Sequence, residues 1–222
     1  MKSKCIALII YACMAIMILS GCGNDTKQEP DTAAADESEM SADENEINTD
    51  ENETTADELL DSFVNGEIMA YYVETDKAFY ITDLPNDPMD FTCYSVGDRV
   101  DLDNDGEKEL IMKGPYGGIY LDVRDGQVYV LDEGDGTAAV VSYTEFDGQT
   151  WIVHSDTTHG GRILYDFTLY DGVGHVVDER RLYKEYWDTP DTPDGPDTVY
   201  TYGDEQITKE EYDELKMKML GE

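Results

Sequence analysis

Positive charge is what this chain has least of. Its 222 residues carry 15 Lys and Arg against 51 Asp and Glu, a formal net charge of −36. Phosphate backbones are gripped by clustered Lys and Arg. No such cluster occurs, which excludes nucleic acid as a partner. Cations, cationic surfaces and basic peptides are what such a field attracts. The familiar catalytic signatures are missing too. There is no HExxH pair, no Gly-rich phosphate loop and no Gly-x-Ser-x-Gly around any serine. Histidine occurs three times and cysteine four times, so there is little material for a transition-metal centre or a disulfide framework.

Long apolar runs are also scarce. The longest, Ile6 to Leu19, has 14 residues, short of the roughly 20 that a spanning helix needs. It follows Lys2 and Lys4 and precedes Ser20 and Gly21, the order of charged region, apolar region and cleavage site in a secretory signal. Leu19-Ser20-Gly21-Cys22 resembles a bacterial lipobox. That resemblance implies diacylglyceryl transfer to Cys22 and cleavage before it. Residues 1–21 are then a lipoprotein signal peptide, and Cys22, carrying palmitate-type chains, is the mature N-terminus. Each buried methylene contributes about 0.8 kcal/mol, so two or three acyl chains hold a protein stably on the extracytoplasmic face of the cell membrane. Cys5 and Cys13 leave with the signal and Cys22 takes lipid, so Cys93 has no intramolecular partner. Flanked by Phe91, Thr92 and Tyr94, Cys93 reads as a small core residue.

Residues 22–56 hold many acids, one base (Lys27) and few apolar side chains beyond alanine, Met40 and Ile47. Such a segment cannot bury enough surface to offset its ordering entropy and is expected to be an acidic, disordered, self-repelling tether. Residues 57–222 are expected to form one β-rich globular domain. Thr55 and Glu58 fit a capping box ahead of Leu59, Leu60, Phe63 and Val64 at helical spacing, with Asn65-Gly66 as the stop. Further on, Ile119, Leu121 and Val123 share one face, and Asp125-Gly126, Asp147-Gly148 and Asp171-Gly172 punctuate alternating segments. An Asp-Gly pair between alternating strands marks a hairpin, because both turn residues need positive φ. The prolines at 190, 193 and 196 mark an exposed loop, followed by a strand near Thr198 to Tyr202. Thr208 with Glu211 makes a second capping box, and Tyr212, Leu215 and Met219 form the stripe of a closing helix. The expected fold is α+β and β-dominated: an antiparallel β-meander with short flanking N- and C-terminal helices.

The strongest chemical signal is the run from Val100 to Ile111. Asp101, Asp103 and Asp105 alternate along a short loop, and Gly106 permits a sharp turn. Oxygen-only ligands point to a hard cation, Ca²⁺ before others. Counted from Asp101, the candidate ligands are Asp101, Asp103, Asp105, the backbone carbonyl of Glu107, and Glu109. An EF-hand requires a bidentate Glu at position 12, where this chain has Met112. With Glu at position 9 and Leu110-Ile111-Met112 beginning a strand, the loop is similar to those of integrin-type FG-GAP repeats. That resemblance implies Ca²⁺ binding; because the loop occurs once, it does not imply a propeller. The opening near Leu60 to Tyr72, the single loop and the closing Ile-Thr-Lys-Glu-Glu-Tyr together resemble uncharacterised surface lipoproteins of clostridia, which carry no known activity. The alternative for the loop is a polar turn whose Asp side chains only bond backbone.

His154, Asp156 and His159 lie close in sequence but lack the spacing of a metal or catalytic set and read as a solvated loop. Sixteen tyrosines with Trp151 and Trp187 invite a carbohydrate ligand, but aromatics are also good strand residues. No residue is nominated as catalytic. The expectation is a monomeric, membrane-anchored, non-enzymatic lipoprotein whose structural calcium loop supports a binding or scaffolding module for a protein or carbohydrate. The alternatives are a secreted cell-wall or glycan hydrolase with a carboxylate pair, or substrate capture for a transporter.

Overall fold

A computed structural model describes residues 54–73, 75–186 and 194–222. Residues 1–53, on which the expected signal peptide, Cys22 and nearly all of the expected tether fall, lie outside the described residues, as do Trp187, Pro190 and Pro193. Helix α1 (Ala56–Val64) begins where the capping box places it: the Thr55 hydroxyl accepts the Glu58 N–H and the Glu58 carboxylate accepts the Thr55 N–H at 3.0 Å. Strands β1 (Ala70–Tyr71) and β2 (Ala78–Phe79) follow. The chain then forms β3 (Ser95–Val100), β4 (Glu109–Lys113), β5 (Ile119–Arg124) and β6 (Gln127–Glu133). A second run gives β7 (Val140–Phe146), β8 (Gln149–Asp156), β9 (Arg162–Tyr170), β10 (Val176–Glu185), β11 (Val199–Tyr202) and β12 (Glu205–Ile207). Helix α2 (Lys209–Leu220) closes the chain, capped by Thr208 and Glu211 and ended by Gly221 in the left-handed region. No described helix is long and apolar enough to cross a membrane.

The fold is β-dominated, as expected, but the meander is split into two six-stranded sheets. The first has the order β2-β1-β6-β5-β4-β3; every neighbouring pair is antiparallel except β1 with β6. The second runs β12-β11-β10-β9-β8-β7, antiparallel throughout. Strand alternation sorts side chains into three cores. Leu60 and Phe63 of α1 pack with Leu110, Met112, Ile119, Leu121 and Val128 on one face of the first sheet. The opposite face sends Ile111, Tyr120 and Leu131 against Val141 and Ile152 of the second sheet, with Leu102 at their end. The far face of the second sheet buries Trp151, Val153, Phe167 and Leu182 under Tyr212 and Met219 of α2. The layers are therefore helix, sheet, sheet, helix. Trp151 is wholly buried and stacks on Phe146 at 4.8 Å, with the Arg180 guanidinium 4.4 Å from its ring.

Asp125-Gly126 and Asp147-Gly148 are tight hairpin turns with positive φ at both residues. The third pair differs. Gly172 keeps an ordinary φ, and the turn widens to Asp171–His175, with the Asp171 carboxylate accepting N–H groups from Val173 and His175. Strand β3 is irregular: its register against β4 shifts between Val96 and Arg99, where a Cβ on Gly97 would lie 2.6 Å from the Ile111 carbonyl oxygen. The segment Pro115–Gly118 locks onto β7, since a Cβ on Gly117, at φ 97°, would sit 1.9 Å from the Val141 carbonyl oxygen.

These surroundings separate two glycines. Gly126→Ala strains only the backbone and should cost roughly 1–2 kcal/mol, because nothing lies within 4 Å of its Cβ position. Gly117→Ala should cost about twice as much, because its methyl also meets backbone. Urea midpoints at a common m-value measure both; equal costs would refute the close-packing account.

Candidate metal centre

The acidic loop joins β3 to β4 and folds across the end of the seam between the sheets. Leu102 is its hydrophobic anchor, wholly buried. Asn104 sits at φ 69° and Gly106 at φ 96°, which curls the backbone back on itself. The Asp101 carboxylate accepts the N–H groups of Asn104 at 2.7 Å and Gly106 at 3.2 Å. One oxygen of Asp103 accepts the Asp105 N–H at 3.3 Å, and Glu109 accepts the Leu102 N–H. The Asn104 amide reaches the second sheet: its Nδ2 donates to the Thr150 carbonyl at 3.1 Å, and its Oδ1 accepts the Thr150 N–H at 2.7 Å.

Asp101, Asp103 and Glu109 each bring a carboxylate oxygen within 4.8 Å of the others, and together they can hold a metal ion. Asp103 and Glu109 are only 1% and 2% exposed. The second oxygen of Asp103 is buried and has no hydrogen-bond partner among the described residues. Burial, reinforced by the charges of Asp122 and Asp105, pushes the Asp103 carboxyl up to about 7. Burial likewise raises Glu109 to about 8, against the pull of the Leu102 N–H and with help from Asp103 and Asp122. These are carboxylates short of positive charge.

Of the sequence-derived ligands, Asp101, Asp103 and Glu109 come together. Asp105 is outside the triad; one of its oxygens accepts the Glu107 N–H at 2.7 Å, and its Cβ packs against Gly172. Glu107 is exposed on the loop. Asp122, buried on β5 and bonded to Arg124, was not singled out from the sequence, although a carboxylate between Leu121 and Val123 in an apolar strand marks an inward polar position. Nor was Asn104, whose side chain makes the inter-sheet bond.

The histidines do not converge. His154 Nε2 lies 3.0 Å from Asp132 across the seam, at ion-pair distance though not aligned for a hydrogen bond, and that carboxylate raises its pKa. The segment near His159 is less solvated than the sequence implies. Asp156 is completely buried and is held by His159 Nδ1 at 2.6 Å and Arg162 Nε at 2.8 Å. Burial works to raise this carboxyl, but the bonds from His159 and Arg162 outweigh it and hold it below the usual range. Cys93 is half-buried, with a backbone N–H bonded to Asp90. No protein-family model, no curated protein and no solved structure matches the chain.

In the metal-free state Asp103 and Glu109 keep protons that the unfolded chain releases above about pH 4. More protons bound in the native state means stability falls as pH rises. Between about pH 5 and 8 the metal-free protein should therefore lose stability steadily, and Asp103→Asn with Glu109→Gln should flatten the slope. His154, also raised, contributes stability in the same direction, so the difference between wild type and variant isolates the two acids. Urea midpoints across that range in a chelator measure this; identical slopes would contradict it.

Proposed function

We propose that this protein is an extracytoplasmic lipoprotein, anchored through Cys22, whose acidic loop holds a structural Ca²⁺ and so braces a binding or scaffolding module. The observation that carries the calcium reading is the buried, unpartnered oxygen of Asp103 inside the triad with Asp101 and Glu109. An all-oxygen donor set favours hard cations, and Ca²⁺ tolerates the irregular geometry of a loop better than Mg²⁺ does. The Glu107 carbonyl and an inward turn of the Asp105 side chain would complete the shell. Calcium modules outside the cell bind with Kd on the order of 10⁻⁴–10⁻³ M, which suits bracing more than signalling. The anchor rests on the lipobox-like Leu19-Ser20-Gly21-Cys22 after a short apolar run. The carboxyls with raised pKa values lie inside the triad at 1–2% exposure, out of reach of a glycan, so they lend no support to a hydrolase.

At a tenfold excess over its Kd, Ca²⁺ should stabilise the protein by about 1.4 kcal/mol, a rise in Tm of roughly 3–6 °C. Asp103→Ala with Glu109→Ala should abolish that rise, and its absence from the unmutated protein would end the calcium assignment. Cys22→Ser should move the protein from the membrane fraction to the soluble one. Continued membrane retention would show that the anchor is something else.

A further inference from the structure

The turn Asp171–His175 touches two neighbours. On one side Gly172 packs on Asp105 of the acidic loop; on the other, Gly174 packs so closely on the Arg124 guanidinium that a Cβ would clash with it. Beyond Arg124 opens a groove of about 540 Å³, whose lining includes Tyr71, Tyr72, Tyr129, Asp76, Asp125 and Val173. It adjoins a hollow of about 390 Å³ that shares Tyr72, Val73, Thr75 and Arg124 and adds Asp132, Glu133 and Val176.

Three properties of this surface point to one kind of ligand. Its walls are aromatic: the Tyr71 and Tyr129 rings lie 6.0 Å apart, inclined at 49°, and Tyr72 is backed by Phe79 at 5.8 Å. Its rim is aliphatic and open, with Val73, Val173 and Val176 each at least half exposed. Its charge is negative. Arg124 is the one base in the lining, and its charge is matched by Asp122. Asp76 and Asp125 have no hydrogen-bond or ion-pair partner among the described residues. In the second hollow Glu133 accepts the Tyr72 hydroxyl at 2.9 Å, and Asp132 accepts the Tyr170 hydroxyl at 3.1 Å while lying 3.0 Å from His154 Nε2.

We propose that this groove binds a linear organic polycation, an aliphatic chain carrying two or more ammonium groups. Ammonium groups are attracted to tyrosine faces and donate to bare carboxylates. The methylenes between them lie against the valines and drive association by leaving water. Asp76 and Asp125 in the groove and Glu133 in the adjoining hollow provide ammonium positions along one channel. A neutral sugar would also stack on the tyrosines but would leave those carboxylates without a counter-charge. This gives a ligand class to the binding role proposed above, and it rests on that reading because the braced loop holds the Asp171–His175 turn that walls the groove.

The test is calorimetric titration of spermidine into the full chain, purified in detergent with calcium. About 0.15 M salt reduces the Debye length to about 8 Å and suppresses diffuse attraction to a polyanion. Saturable binding at one site is expected. Asp76→Asn with Asp125→Asn, and separately Tyr129→Leu, should each weaken it at least tenfold while leaving the calcium-induced rise in Tm intact. No saturable binding, equal binding by the variants, or binding of an uncharged oligosaccharide in place of spermidine would overturn the proposal. Calcium stabilisation without spermidine binding removes only the polycation site. Spermidine binding without calcium stabilisation removes the brace and leaves the groove.

Discussion

Negative charge sealed into the seam between two sheets is the constraint around which this molecule is arranged. Asp103, Glu109 and Asp122 approach one another where water is excluded. Uncompensated, such burial is among the costliest arrangements a fold can contain. Asp122 is relieved by Arg124. The other two have backbone N–H groups, and these leave one Asp103 oxygen open. A proton or a cation can supply what is missing. The site is also mechanically central, because the Asn104 amide ties the same loop to β8 of the other sheet. Charge state at the triad and cohesion between the sheets are thus properties of one short segment, Asp101 to Glu109.

The scarce bases follow the same logic on a larger scale. Arg99 reaches from β3 to Asp57 and Asp61 of α1, Arg162 holds Asp156, Arg181 holds Asp166, and Lys184 holds Asp194. Each base is placed against a carboxylate whose neighbours would otherwise repel it. Exposed pairs of this kind contribute little individually.

Much of this was legible in the sequence because local rules decided it. Both capping boxes, the Asn65-Gly66 stop and two of the three Asp-Gly hairpins depend on residues within one turn of each other. The departures arise where distant chain segments meet. The third hairpin widened because Gly172 was needed as a small surface beside Asp105, a contact between residues far apart in sequence. One meander became two sheets because side chains such as Ile111 and Ile152 face each other, which alternation within a strand cannot reveal. The loop was legible in its spacing, whereas Asp122, close enough to raise Asp103 and Glu109, comes from another strand. Spacing predicts which residues can reach a centre; packing decides which do.

The irregular strand β3 has a consequence for solubility in the assembled sense. It forms one margin of the first sheet, and a sheet margin offers unpaired N–H and C=O groups to any other extended chain. The register shift at Gly97, with Asp98 and Arg99 beside it, interrupts that template and sets charge along it. A strand from a second molecule would have to follow the bulge and desolvate both charges. Wherever copies meet at high local concentration, one glycine pressed against a neighbouring carbonyl helps keep sheets from zipping edge to edge.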